Sequence, residues 1–109
     1  MTDDISSPGP EDRARERQLL ADLTATVAAL RARSGSYCED GLLRYFEPAL
    51  SALEEVLERD RPIDERSVVL ARIRNPFGGG MGSPINDCTF PAELDDLLRK
   101  IRANYDIYR

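Results

Sequence analysis

L-L-R-Y-F-E-P-A-L-S-A-L-E-E-V-L, residues 42–57, decides what the middle of this chain is. Leu42, Leu43, Phe46, Ala49, Leu50, Leu53, Val56 and Leu57 recur at steps of three and four, which places them on one face of an α-helix. A half-buried strand would alternate in steps of two. The period runs through Pro48 without a slip. Proline has no backbone N–H to donate and disfavours helix at the residue before it. The reading is therefore a helix kinked at Pro48, or a short helix followed by a second one that starts there. Asp60, Arg61 and Pro62 mark the break that follows.

Upstream, Leu19, Leu20, Leu23, Val27 and Leu30 form a second stripe of the same period. Its helix is expected to start near Glu11, with acidic residues at the positive end of the helix dipole and Arg31 and Arg33 at the negative end. Ser34, Gly35 and Ser36 stop it. Residues 1–10 read as a disordered tail, leaving 11–109 as a single helical domain. Downstream, Pro62 suits the opening of a third helix, with Asp64 and Glu65 in its first turn and Val68, Val69, Leu70 and Ile73 as its apolar residues. The β-branched Ser-Val-Val-Leu run leaves a strand as the competing reading there. A last helix is expected from about Pro91. Leu94, Leu97, Leu98, Ile101, Tyr105 and Tyr108 form its stripe, with acidic residues early and basic residues late. The fold class is all-α: a small four-helix bundle, antiparallel where the connections are short, with a glycine-rich loop before the last helix.

That loop is N-P-F-G-G-G-M-G-S-P-I-N-D, residues 75–87, with four glycines and two prolines in thirteen residues. Such a composition excludes regular structure. Consecutive glycines can turn backbone N–H groups into an anion-binding nest. A phosphate loop, however, needs G-K-[ST] leading into a helix, and here Gly82-Ser83 is followed by Pro84. A tight connection between helices needs one or two residues at positive φ, fewer than four glycines. The surplus points to close backbone approach, either to the bundle or to a partner. Phe77 either anchors the loop in the body or, exposed beside Met81, serves as a contact residue. Asn86 and Asp87 read as turn residues that bond nearby backbone N–H groups.

Composition narrows the chemistry. The 109 residues make one domain, too short for two cores. There is no histidine, so no Ser-His-Asp or Cys-His site and no histidine-ligated metal can form within the chain. The same absence removes the di-iron form of a four-helix bundle, which needs Glu-x-x-His pairs. Neighbouring acids at Glu39-Asp40, Glu54-Glu55 and Asp95-Asp96 point about 100° apart on a helix and make no paired site by themselves. No cofactor and no metal is expected. The net charge is −5, which opposes duplex nucleic-acid binding. The aromatic residues are not interleaved with basic ones as a single-strand binder requires. No segment is apolar enough to cross a bilayer, and the N-terminus has no signal-peptide pattern. Cys38 and Cys88, fifty positions apart, read as two reduced cysteines in a cytoplasmic protein, with a disulfide between them as the alternative.

The run F-G-G-G-M-G-S-P-I-N-D, followed by L-D-D-L-L-R-K-I-R, resembles a group of small helical bacterial proteins of unknown function. Their signature is a phenylalanine and glycines leading to G-M-G-S and then N-D, ahead of a terminal helix. The resemblance covers residues 74–102, and Phe77, Gly80, Met81, Gly82, Ser83, Asn86 and Asp87 match the signature. This chain differs by an extra glycine and by Pro84-Ile85 before the N-D pair. The group resembles bacterial immunity proteins, so the resemblance implies a small acidic binding protein and no established activity. Together these readings give a non-enzymatic protein-binding module, in the manner of an inhibitor of a toxin or effector with a basic surface. The partner-contacting residues would be Phe77, Gly78, Gly79, Gly80, Met81, Gly82, Ser83, Asn86 and Asp87. Two alternatives stand beside it. One is a small-ligand or anion-binding protein or enzyme that uses the loop N–H groups with Asp87 as base and Ser83 or Cys88 as its partner. The other is a homo-oligomeric structural protein.

Overall fold

The structure, a computed structural model, describes residues 8–33, 35–78 and 88–108. Among these residues there are four α-helices and no strand. Helix α1 spans Pro10–Ala32, α2 spans Tyr37–Glu58, α3 spans Ile63–Arg74 and α4 spans Ala92–Asn104. A 3-10 turn, Asn75–Phe77, continues directly from α3.

The helix ends follow from local chemistry. Gly9 is extended and Pro10 occupies the first turn of α1, where its missing N–H costs nothing. α1 thus begins at Pro10, next to the expected start near Glu11, and Pro8 is buried. The turn from α1 to α2 passes through Gly35 at φ +105°, a conformation that favours glycine. Ser36 caps α2 in extended conformation and donates its hydroxyl to Glu39. At the far end of α2, the Asp60 N–H donates to Leu57 O at 3.3 Å and the Arg61 N–H to Val56 O at 2.9 Å. These are the paired bonds of a Schellman turn. Its left-handed position is held by Asp60 at φ 50° rather than by glycine.

α2 is a single continuous helix with Pro48 inside it, so of the two readings, a helix kinked at Pro48 or two successive helices, the second is not realised. The reason is the face on which proline sits. Pro48 and Arg44 are exposed, so the Arg44 carbonyl that loses its partner is open to water. Phe46, Ala49 and Leu53 are buried on the opposite face, and they hold both halves of the helix against one core. Residues 68–70 are helical, and the strand alternative is not realised.

α1 and α2 pair antiparallel, with Arg31 on Glu47 at 2.7 Å. The two short helices cover different halves of this hairpin. α3 packs on α2, and α4 packs on α1. α4 starts beside the C-terminal end of α1, where Arg33 meets Glu93 at 2.9 Å. α3 starts beside the N-terminal third of α1, where Arg66 meets Glu16. The two short helices thus run toward each other, and their C-terminal ends meet at Arg74 and Asp106, 3.3 Å apart. The core comprises Leu19, Leu23, Val27 and Leu30 of α1, Leu42, Phe46, Ala49 and Leu53 of α2, Val69, Leu70 and Ile73 of α3, and Leu94, Leu98 and Ile101 of α4.

Cys38 and Cys88 form a disulfide, with Cα atoms 6.0 Å apart. The expectation of two reduced cysteines is corrected here. Cys38 lies on the first turn of α2, and Cys88 lies on the lead-in to α4. Both elements begin at the end of the molecule where α1 finishes, so the fold brings together residues separated by 50 positions. Closing a loop of that length restricts the unfolded chain and stabilises the folded one by about 4 kcal/mol on the chain-entropy account.

Candidate functional site

The glycine-rich segment starts where α3 hands over to its 3-10 turn. Phe77 is half-buried. Its ring lies 6.1 Å from that of Phe46 and 5.4 Å from that of Tyr105, tilted against both at angles common for aromatic pairs. Of the two roles open to Phe77, its packing is that of an anchor. The Gly78 N–H donates to Asn75 O at 3.0 Å and Gly78 is exposed. Its φ is −75°, so this glycine does not serve a left-handed turn. A methyl group there would sit 3.1 Å from Asn75 O. Gly79, Gly80, Met81, Gly82, Ser83, Asn86 and Asp87 lie outside the described residues. The described chain resumes at Cys88, held by its bond to Cys38. That bond removes Cys88 as a free thiol partner for Asp87. Between the two anchors lies a cleft of about 340 Å³ lined by Phe77, Cys88, Phe90, Leu98, Arg99 and Arg102. Among the described residues no group of three or more Cys, Asp or Glu side chains converges as a metal site would require.

At the other end of the molecule is a polar cluster that the sequence reading missed. Arg66 and Glu16 are both only 2% exposed. The Arg66 guanidinium donates to Glu16 Oε1, to Arg61 O and, at 2.7 Å, to Asp60 Oδ1. The second Glu16 oxygen accepts the Tyr108 hydroxyl. Asp60 also meets Arg13 at 3.3 Å, and Arg13 donates to Pro8 O at 3.2 Å. One cluster therefore joins α1, the α2–α3 turn, α3 and the segment after α4. It also accounts for aspartate at the left-handed position. A non-glycine residue there costs up to about 1–2 kcal/mol, less for aspartate, and the Asp60 carboxylate bonds both arginines, which glycine cannot do.

The charges are set by these contacts. Burial works against the charge on Arg66, but its hydrogen bond to Glu16 and the negative charges of Glu16 and Asp60 outweigh that and hold it above the ordinary arginine value. Burial also raises Tyr108, and the hydrogen bond and charge of Glu16 raise it further, against the opposing effect of Arg66. Tyr108 thus keeps its proton well above the ordinary tyrosine value of 10.0. The folded state holds a proton that the unfolded chain releases near pH 10, so this contribution is complete below pH 10 and declines above it. Tyr108→Phe is expected to flatten the alkaline limb of the stability curve by up to about 1.4 kcal/mol per pH unit. Urea titrations between pH 9 and 11 measure this, and parallel limbs for the two proteins would contradict it.

Chemically the cluster is a joint. Both Glu16 oxygens and three guanidinium nitrogens are spent inside the protein. A cleft of about 430 Å³ opens beside it, between Arg13, Arg17 and Leu20 on one wall and Glu54, Leu57 and Glu58 on the other. Its mixed charges select no single ligand sign. Asp22 is also buried. One of its oxygens accepts from Gln18 at 3.0 Å, and the other has no hydrogen-bond partner among the described residues.

No helix among the described residues is long and apolar enough to cross a membrane. Comparison of the chain with protein-family models, with curated proteins and with solved structures finds no match.

Proposed function

We propose that this chain is a non-enzymatic, protein-binding helical module that contacts its partner through the glycine-rich segment at residues 78–87. The observation that carries the reading is the pair of anchors around that segment. Phe77 is packed between Phe46 and Tyr105, and Cys88 is bonded to Cys38. A contact element fixed at both ends on a helical body loses less freedom on binding than a free chain would, which favours affinity. The segment carries only one charge, Asp87, on a body of net charge −5. An acidic body steers a basic partner toward it, and a nearly uncharged element then makes contact without desolvating many charges. An inhibitor of a basic toxin or effector, the role implied by the small helical bacterial group that residues 74–102 resemble, fits this chemistry.

The small-ligand alternative now rests on Ser83 and Asp87, with Cys88 spent in the disulfide. The expected placement in the cytoplasm drew in part on reduced cysteines, and the pairing of Cys38 with Cys88 withdraws that part of its support. Homo-oligomer assembly has no specific observation in its favour.

The test uses the partner recovered by affinity purification from the native host. Gly80→Val and Gly82→Val are expected to keep the helical circular dichroism and the melting temperature while weakening partner binding at least tenfold. Unaltered binding by both variants would remove the segment from the interface. Unfolding of both variants without partner would make the segment structural and overturn the reading.

A further inference from the structure

We infer that the Cys38–Cys88 disulfide is a reducible clasp, which fixes the lead-in to α4 on the first turn of α2 without being needed for the helical body. The inference stands on geometry and does not depend on the proposed function. Neither cysteine belongs to the hydrophobic core. α4 is held on α1 by Leu94, Leu98 and Ile101, and its two ends are tied by Arg33–Glu93 and Arg74–Asp106. The α1–α2 hairpin contributes Leu23, Val27, Leu42 and Phe46 to the same core. Phe77 upstream and Phe90 downstream are packed against that core independently. What the bond holds is Cys88 and Thr89, which belong to no helix and make no backbone hydrogen bond among the described residues.

The bond is also placed for exchange. Both cysteines are only partly buried, and Cys88 lines the cleft that carries Arg99 and Arg102. Cationic side chains in that cleft attract an incoming thiolate toward Cys88 Sγ. Arg99 is partly neutralised by Asp95, 3.2 Å away. The reductant class is an anionic thiol or a dithiol. Its thiolate attacks Cys88 Sγ, a new sulfur–sulfur bond forms there, and the Cys38–Cys88 bond breaks with its electron pair leaving on Cys38. Cys38 departs from the first turn of α2, beside N–H groups that favour a thiolate. The neighbouring acids are turned to other partners, Glu39 to the Ser36 hydroxyl and Asp40 to the Gly35 N–H. A second thiolate then attacks the reductant's sulfur in the mixed disulfide and releases Cys88 as thiolate. Two electrons pass to the protein, the reductant leaves as its own disulfide, and both cysteine thiolates take up protons from water.

The experiment uses the full chain, purified without reductant and then treated with dithiothreitol. Thiol titration is expected to rise from none to two per chain. The helical circular dichroism should persist, with a lower but still cooperative melt. Backbone order parameters at Cys88 and Thr89 should fall from about 0.85 to below about 0.6, while those of Leu94, Leu98 and Ile101 stay unchanged. Cys38→Ser combined with Cys88→Ser should reproduce the reduced state without reductant. With one equivalent of glutathione, the first mixed disulfide should map to Cys88. Loss of the helical signal on reduction, or a double variant that does not fold, would make the bond a staple of the whole fold and overturn the inference. Unchanged order at Cys88 and Thr89, or a first mixed disulfide on Cys38, would overturn it as well.

Discussion

Arg66→Ala lowers the stability of the protein by about 3–5 kcal/mol, the cost of leaving a buried carboxylate without its counter-charge. Glu16 and Arg66 are almost fully buried, so water cannot replace the missing partner without opening the joint. Removing the guanidinium also strips Asp60 of a 2.7 Å bond and leaves the Arg61 carbonyl unpaired at the left-handed turn. For a domain of this size the melting temperature should fall by roughly 15–25 °C. Arg66→Lys is no rescue, because an ammonium group cannot reach Glu16, Asp60 and the Arg61 carbonyl in the planar fork that arginine supplies. Replacing the polar set by apolar residues of similar volume, Glu16→Leu, Arg66→Met and Tyr108→Phe together, should recover most of the loss, since buried pairs break even at best against hydrophobic packing. Denaturant titration of the four proteins measures this. A loss under 1 kcal/mol for Arg66→Ala would mean the joint is open to solvent.

Phe46→Ala is expected to cost about 3–5 kcal/mol. Phe46 is fully buried at the middle of α2, where α2 faces α1 and the ends of both short helices. Its loss removes apolar contact and leaves a cavity that four helices must close together. Phe77 loses the ring against which it is tilted, so one anchor of the glycine-rich segment loosens as well. Phe46→Leu, which keeps most of the volume, should cost less than half as much. Equal costs for the two variants would show that the site collapses freely.

The helices were legible because burial repeats at 3.6 residues. Leu19, Leu20, Leu23, Val27 and Leu30 form one stripe in the sequence, and all but the half-buried Leu20 are buried. The polar joint was legible in principle and was missed. Glu16 lies three residues before Leu19 and seven before Leu23, and Arg66 lies three before Val69 and seven before Ile73. Each charge occupies the apolar face of its own helix, and two opposite charges so placed are the mark of a buried pair. The Cys38–Cys88 bond had no such local signal, because it depends on two helix starts meeting at the same end of the bundle. Continuity through Pro48 depended on which face the proline occupied, and the stripe already placed it opposite Phe46 and Leu53. For the candidate site, Phe77 was readable as an aromatic anchor, while the roles of the residues from Gly79 to Asp87 follow from composition alone.

Under the proposed function, the partner touches the segment between Phe77 and Cys88 and leaves the rest of the body free. Amide chemical-shift mapping of the isotope-labelled chain, titrated with its purified partner, tests this most directly. Shifts are expected to concentrate at residues 77–91. Shifts concentrated instead around Arg13, Arg17, Glu54 and Glu58, with residues 77–91 unmoved, would contradict the proposed function.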